Sequence, residues 1–446
     1  MASYTKLVSR YPLLVTYRAP ILLGSFFLFF ILLVTLLSYQ SSSSLSVPSN
    51  EDWSSCKTFG LSTSSTTGPP SLAPSIGDKV LVTGSAGFIG SHVARYCVEE
   101  LKMTVIGVDD MSGGFEFNLF QNERYTFVRG DLQNDAFVKK LWAEHGPFKH
   151  VYHLAAYAAE GLSHFIRGFN YGNNLVASMH VLNAAINGGT KTFVFTSSIA
   201  AYGAGQTPMT ENTVPQPEDP YGVAKYAVEL DLKAAHEMFG IDFVIFRPHN
   251  VYGTGQNVAD RYRNVIGIFM RQLLAGEPMT IFGDGLQTRA FSFIDDVAPY
   301  IAKSPLIAGA RNQVFNVGAD HPYTLNELAL KVKAAMGFPN AQVLNLPARN
   351  EVQHAFSSHE KLRCVFRPSN PPVPLEVGLA KMAAWVIELS KTGSFIPVTF
   401  GNVEVTRNLP PSWAAASDAA AAAAAAAKKN GQSGNGGVFV PHTKSG

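Results

Sequence analysis

Short apolar runs alternate with longer stretches in which apolar residues recur every three or four positions, from about residue 79 to about residue 397. The first pattern predicts buried strands and the second amphipathic helices. Strands are predicted at 80–82, 103–108, 126–131, 150–156, 192–198 and 242–247. Helical stretches between them predict a parallel sheet covered on both faces. The fold class expected is α/β, a Rossmann-type doubly wound parallel sheet with a smaller C-terminal α/β part.

The ends of the chain break this pattern. No charged residue lies between Arg18 and Glu51, and 21–38 is almost continuously apolar. Eighteen helical residues span ~27 Å, about the thickness of a bilayer core. Lys6, Arg10 and Arg18 precede the run, and no Lys or Arg follows before Lys57. The positive-inside rule then puts the N-terminus in the cytosol and the rest of the chain in a lumen, as a single-pass type II membrane protein. The expected division is a cytosolic tail at 1–19, a transmembrane helix at 20–39 and a flexible Ser/Thr/Pro-rich stem at 40–77. A dinucleotide-binding domain follows at 78–250, then a mainly substrate-binding part at 251–397, some of whose segments return to the sheet. Residues 398–446, rich in Ala, Gly and Ser, read as a disordered tail.

Composition narrows the function. Of 446 residues, 15 % are charged, with formal net charge +2, and no basic block appears, so nucleic-acid binding is not expected. Cys56, Cys97 and Cys364 show no metal-ligand spacing, and no metal site is expected. Cys97 falls on the first helix as a small core residue. Cys56, in a polar segment, is open to cross-linking two chains in an oxidising compartment.

The chemistry begins in Lys79-Val-Leu-Val-Thr-Gly-Ser-Ala-Gly-Phe-Ile-Gly-Ser-His-Val-Ala-Arg95. Gly84, Gly87 and Gly90 sit between a strand and a helix, with Phe88 and Ile89 in the first helical turn. That spacing allows a tight turn, close approach to a pyrophosphate, and helix packing against the sheet. The helix N-terminus offers N–H groups and partial positive charge to the phosphates. Asp109, at the end of the second strand, is placed to bind adenosine ribose hydroxyls and would repel a 2′-phosphate. NAD is therefore the cofactor expected. Asp131, with Leu132 beside it, is a candidate for the adenine end, and Ala155 and Ala156 are small enough to let backbone lie against the cofactor.

Pro220-Tyr221-Gly-Val-Ala-Lys225 opens a long helical pattern, so Tyr221 and Lys225 project from one helix face. A phenol with pKa near ~10 is a poor base at neutral pH, and a nearby ammonium and a nicotinamide cation favour the phenolate. Ser198, at the end of the fifth strand, is placed to share the hydrogen bond to a substrate hydroxyl. Tyr221 and Lys225 are counted among both catalytic and cofactor-binding residues.

On these residues, and on Arg247-Pro-His-Asn-Val-Tyr-Gly253, residues from about 79 to about 396 resemble the extended short-chain dehydrogenase/reductase family. Within it they are most similar to the UDP-glucose 4-epimerases and related nucleotide-sugar epimerases. The resemblance implies bound NAD, a Ser-Tyr-Lys catalytic set and a C-terminal part that holds a UDP-hexose or UDP-uronate. It carries Asn174 into the active-site support, Asn250 to phosphate or loop binding, and Arg289 to the substrate diphosphate. It also carries Arg349 to substrate binding, although Arg349 precedes Glu351-Val352, where the family motif has a glycine that is missing here. Family dehydratases carry Asp-Glu after the Ser equivalent, decarboxylases a Glu and 3,5-epimerases a Cys; this chain has Ile199-Ala200. A 4-epimerase, which needs one proton site and one hydride site, is what remains, with UDP-glucose/UDP-galactose expected first and a UDP-uronate second. A non-catalytic NAD-binding module is the reading from another class. The family also implies a homodimer through helices near 174–185 and 226–238, and the type II reading implies a Golgi or other secretory membrane.

Overall fold

The computed structural model of the chain describes residues 70–392 except 206, 261, 263 and 349–351, together with Cys56, Phe59, residues 403–410 and Trp413. The apolar run at 20–39, the tail before it, most of the stem and Arg349 lie outside the described residues. Among the described residues no helix is long and apolar enough to cross a membrane.

The predicted strands form β1 (Lys79–Thr83), β2 (Thr104–Asp109), β3 (Tyr125–Arg129), β4 (His150–His153), β5 (Thr192–Thr196) and β6 (Asp242–Pro248). A seventh, β7 (Gln313–Val317), returns to the sheet from the C-terminal part. All pair in parallel, in the order β3-β2-β1-β4-β5-β6-β7. Three strands end earlier than predicted. Asp131, Ala155, Ala156 and Ser198 lie just beyond the ladder, where the backbone turns out of the sheet.

Alternation along the strands sorts side chains between two layers. Val80, Val82, Tyr152, Val194, Val244 and Phe246 pack on one face with α1 (Phe88–Glu99), α6 (Leu325–Met336) and α7 (Leu375–Lys391). Leu81, Ile106, Val151, Phe193, Phe195 and Ile245 pack on the other with α2 (Asp135–His145), α3 (Ala177–Asn187) and α4 (Pro220–Phe239). Each such side chain, fully buried, contributes about 1.5–3 kcal/mol. The strand order reverses between β1 and β4, so a crevice opens beyond their carboxyl ends.

Helix α4 begins and ends on local signals. The Asp219 carboxylate accepts the Gly222 N–H at 2.9 Å, Pro220 takes the first position, and Gly240 closes the helix at φ 71°. It is tied to β6 by a buried ion pair, Arg247 Nε donating to Glu229 Oε1 at 2.8 Å and Nη2 to Oε2 at 2.5 Å. Beyond β6, α5 (Val265–Leu274) leads into a smaller layer. There Met279–Phe282 pairs with Val343–Leu346, and Thr288–Ala290 lies between Pro322–Thr324 and His354–Ala355.

Two sequence expectations change. Cys56 forms a disulfide with Cys364 of the same chain, 308 residues away, rather than with a second chain. Cys364 lies on the helix Glu360–Phe366, so a stem residue is pinned to the C-terminal part. The tail expected from 398 contains a docked stretch. Glu404 accepts the N–H groups of Gly168 and Phe169 at 2.6 and 2.8 Å, and Trp413 is buried against Phe165 and Tyr262. An acid at a helix start and a large aromatic overcome the low-complexity composition that surrounds them.

Candidate active site

A single cleft of about 1960 Å³ runs along the carboxyl ends of β1, β2, β4 and β5. It is lined by Gly84, Gly87, Phe88, Ile89 and Gly90 at one end and by Ser198, Tyr221 and Lys225 further along. Gly84 sits at φ 71°, and a Cβ there would lie 2.8 Å from the Ala155 nitrogen. A Cβ on Gly90 would lie 2.0 Å from the Gly84 oxygen. Both positions demand glycine for close backbone approach, and no side chain caps the N-terminus of α1 at Gly87. This cradle fits the pyrophosphate of a dinucleotide.

Asp109 is buried where β2 ends. Its carboxylate accepts the Ala86 N–H at 3.1 Å and the Met111 N–H at 2.8 Å. Burial nevertheless raises its pKa to about 6. Asp131, Leu132, Ala155 and Ala156 line the same cleft, with Asp131 also accepting the Gln133 N–H at 2.8 Å. The exit of β4 is held by Thr83, whose Oγ1 accepts the Leu154 and Ala155 N–H groups. That leaves its own proton for His153 Nδ1 at 2.8 Å, and burial pushes His153 down to about 3, so the ring stays neutral.

At the catalytic end, Lys225 is buried and its Nζ donates to the Thr196 oxygen at 2.8 Å. Burial, opposed by the charge of Glu229, lowers Lys225 to about 7. Its Nζ lies 5.9 Å from the centre of the Tyr221 ring. Ser198 Oγ accepts the Ala200 N–H at 3.1 Å. Beside it on the cleft wall stand Ile199 and Ala200, which offer no side-chain proton. A phenol, an amine and a hydroxyl therefore line one cleft, without an acid at the two positions after Ser198.

The substrate residues divide. Asn250 lines the cleft at φ 40° and donates to the Ala290 oxygen at 3.0 Å. Arg289 lines it too, but its guanidinium donates to the carbonyls of Thr288, Val352 and Gln353, which fixes the fork against 352–353. Asn174 is a correction. It is fully buried and does not line the cleft. Its side chain accepts the Tyr157 N–H at 2.9 Å and donates to the Tyr157 oxygen at 3.0 Å, from one turn of π-helix at Gly172–Val176. It shapes the loop after β4 through Tyr157, and it donates to Asn170 at 2.8 Å, which in turn donates to the Pro220 oxygen. Arg349 lies outside the described residues.

Sequence reasoning missed a buried imidazole pair behind Asn250. His249 lines the cleft, its Nδ1 3.2 Å from the Ala290 oxygen and its Nε2 3.0 Å from His359 Nε2. His359 Nδ1 lies 2.7 Å from Asp320. Both Nδ1 atoms face acceptors and so carry hydrogens. Burial and the neighbouring His359 push His249 down to about 3, and His359 Nε2 also lies 3.2 Å from Ser357 Oγ. Burial tends to raise Asp320, but His359 and Arg363 outweigh it and hold the carboxyl at about 2. The residues are 110 apart, and no spacing rule links them.

The family model described as the NAD dependent epimerase/dehydratase family matches residues 80–318. The chain is 30% identical to a putative UDP-glucose 4-epimerase of Methanocaldococcus jannaschii over 319 residues, 70% of this chain and 100% of the relative. The structure is similar to that of UDP-glucose 4-epimerase from Thermotoga maritima with UDP-glucose, at TM-score 0.64 and 31% identity, covering 70% of this chain and 99% of that one. It is also similar to UDP-glucuronic acid 4-epimerase from Bacillus cereus with UDP-glucuronic acid and NAD, at TM-score 0.63 and 28% identity, covering 70% and 99%.

Proposed function

This chain belongs to the NAD dependent epimerase/dehydratase family, and on that premise we propose that it is an NAD-dependent 4-epimerase, an isomerase, that interconverts UDP-glucose and UDP-galactose. The observation that carries this reading is that Ser198, Tyr221 and Lys225 line one cleft with the proton-silent pair Ile199–Ala200. The glycine cradle and Asp109, with Asp131 and Leu132 further along the same cleft, would hold the dinucleotide. When bound, NAD supplies reversible hydride acceptance at carbon 4 of the sugar. Tyr221 takes the proton of the 4-hydroxyl and returns it when the resulting 4-keto sugar is reduced from the opposite face. Lys225, protonated, stabilises the phenolate, and Ser198 orients the sugar oxygen. Net redox is zero, so no second substrate is consumed. Asn250 and Arg289 border the part of the cleft where the UDP-sugar lies.

Likeness to the Bacillus cereus enzyme supports a second substrate reading, UDP-glucuronate and UDP-galacturonate. Purified protein given UDP-galactose without reductant should produce UDP-glucose by NMR. Failure to interconvert any UDP-hexose or UDP-uronate rejects the function.

We infer further that the catalytic part faces the lumen of a Golgi or other secretory membrane. The charge-flanked apolar run at 20–39 supports this, as does an intrachain disulfide, which persists in oxidising compartments. Protease protection of the C-terminal part in sealed microsomes tests it. A homodimer is supported by the exposed apolar residues Val176, Val223 and Leu230 beside or on α3 and α4. Light scattering at the mass of one chain would contradict it.

A further inference from the structure

The docked residues 403–410 and Trp413 lie beyond the region matched by the family model, yet several of them form part of the cleft wall. Its anchor is specific. The Glu404 carboxylate meets two N–H groups at the start of the helix Arg167–Tyr171, and the N–H groups of Glu404 and Val405 donate to the Phe165 oxygen at 2.8 and 3.1 Å. Trp413 closes the stretch in a small apolar cluster with Ala159, Leu162 and Ile166. The surface it docks on adjoins the catalytic helix. Ser163 Oγ accepts the Tyr221 N–H at 3.2 Å, and Asn170 donates to the Pro220 oxygen at 2.8 Å. The stretch therefore sits at the end of the cleft where the phenol acts, not at the glycine cradle.

A second observation points to a polar ligand in the cleft. Gln256 and Asn257 line it, both more than nine-tenths buried, and Gln256 Oε1 and Asn257 Nδ2 have no hydrogen-bond partner among the described residues. A buried donor and a buried acceptor left open destabilise the fold unless a ligand meets them. Their loop continues to Tyr262, which packs edge-on against Trp413 at 5.4 Å. A hydroxyl-rich sugar both donates and accepts, as these two atoms require. Arg407 and Asn408 of the docked stretch also line the cleft, so they bring further polar groups to it.

We infer that residues 403–410 and Trp413 complete the glycosyl pocket and select the sugar of the nucleotide-sugar substrate. They do so with Arg407 and Asn408, which line the same cleft as Gln256 and Asn257. This rests on the nucleotide-sugar reading above. It makes part of the specificity a property of a C-terminal extension rather than of the dinucleotide fold.

Binding by the full chain tests it, with UDP-galactose and UDP alone as calorimetric probes. Glu404→Ala/Trp413→Ala, which frees the stretch, should weaken UDP-galactose binding at least 10-fold and UDP binding less than 3-fold, with NAD content unchanged. Arg407→Ala should weaken UDP-galactose binding 3-fold or more with no change in melting temperature. Equal affinities for UDP-galactose in wild type and both variants overturn the inference while leaving the epimerase reading in place. Equal loss for UDP and UDP-galactose also overturns it, because the stretch would then act on the whole cleft. Wild type that binds no UDP-sugar overturns the function reading and this inference with it.

Discussion

Replacing Gly90 with alanine adds one methyl group at the closest backbone contact of the cofactor cradle. The added Cβ would lie 2.0 Å from the Gly84 oxygen and 2.6 Å from the Gly84 carbon. Both atoms are main chain, so no rotamer change relieves the clash, and the start of α1 must retreat from the β1 turn by about 1 Å to reach even a tight contact. Overpacking of this kind costs about 1–3 kcal/mol. If that strain is relieved by moving the helix N-terminus, it appears as lost pyrophosphate binding, roughly 5- to 150-fold in Kd. NAD content after purification and calorimetric titration of stripped protein measure it. Gly87→Ala, whose Cβ would lie 3.1 Å from the same oxygen, should lose less. Gly309→Ala, with its nearest neighbour at 3.7 Å, should bind NAD as wild type does. A Gly90→Ala protein with wild-type Kd and melting temperature would refute the reasoning.

Three further outcomes follow from buried groups. Arg247→Met leaves the Glu229 carboxylate, 0% exposed, without its partner and should cost about 3–5 kcal/mol, whereas Arg247→Met/Glu229→Leu should recover most of it in denaturant titrations. A double variant less stable than the single one contradicts this. Cys56→Ser and Cys364→Ser should each cost about 2–5 kcal/mol and not add, because they open one loop. A covalent dimer on non-reducing gels would contradict the intrachain pairing. Lys225 is held near 7 in the fold by burial, against the charge of Glu229, while an unfolded lysine keeps its proton to ~10.4. Between those values the unfolded chain binds more protons, so this group adds stability as pH rises, by on the order of 1.4 kcal/mol per unit. The melting temperature of NAD-stripped wild type relative to Lys225→Met should climb from pH 7.5 to 9.5, and a flat or falling difference contradicts the burial argument.

Local pattern carried most of the sheet. β1, β2 and β6 read directly because buried parallel strands are continuous apolar runs ended by turn residues. The cradle, Asp109, and the pair Tyr221 and Lys225 were legible for the same reason, since each depends on neighbours within one turn or one strand–helix unit. What failed was long-range. Asn174 carries a family position, but its buried bonds to Tyr157 depend on a π-turn that periodicity does not show. Cys56 and Cys364 meet across 308 residues, and His249 and His359 across 110. Residues 403–413 were read with the alanine run that follows them, although Glu404 and Trp413 carry the anchors. A lone acid and a lone tryptophan announce docking only once their targets are placed.

The central claim is that Tyr221 moves the proton of the sugar's 4-hydroxyl while NAD stays bound. It is tested most directly by the UDP-galactose to UDP-glucose rate of Tyr221→Phe, followed by NMR beside wild type at matched NAD content. The expected result is a loss of about 100- to 10,000-fold with the dinucleotide retained. Turnover at the wild-type rate would contradict it.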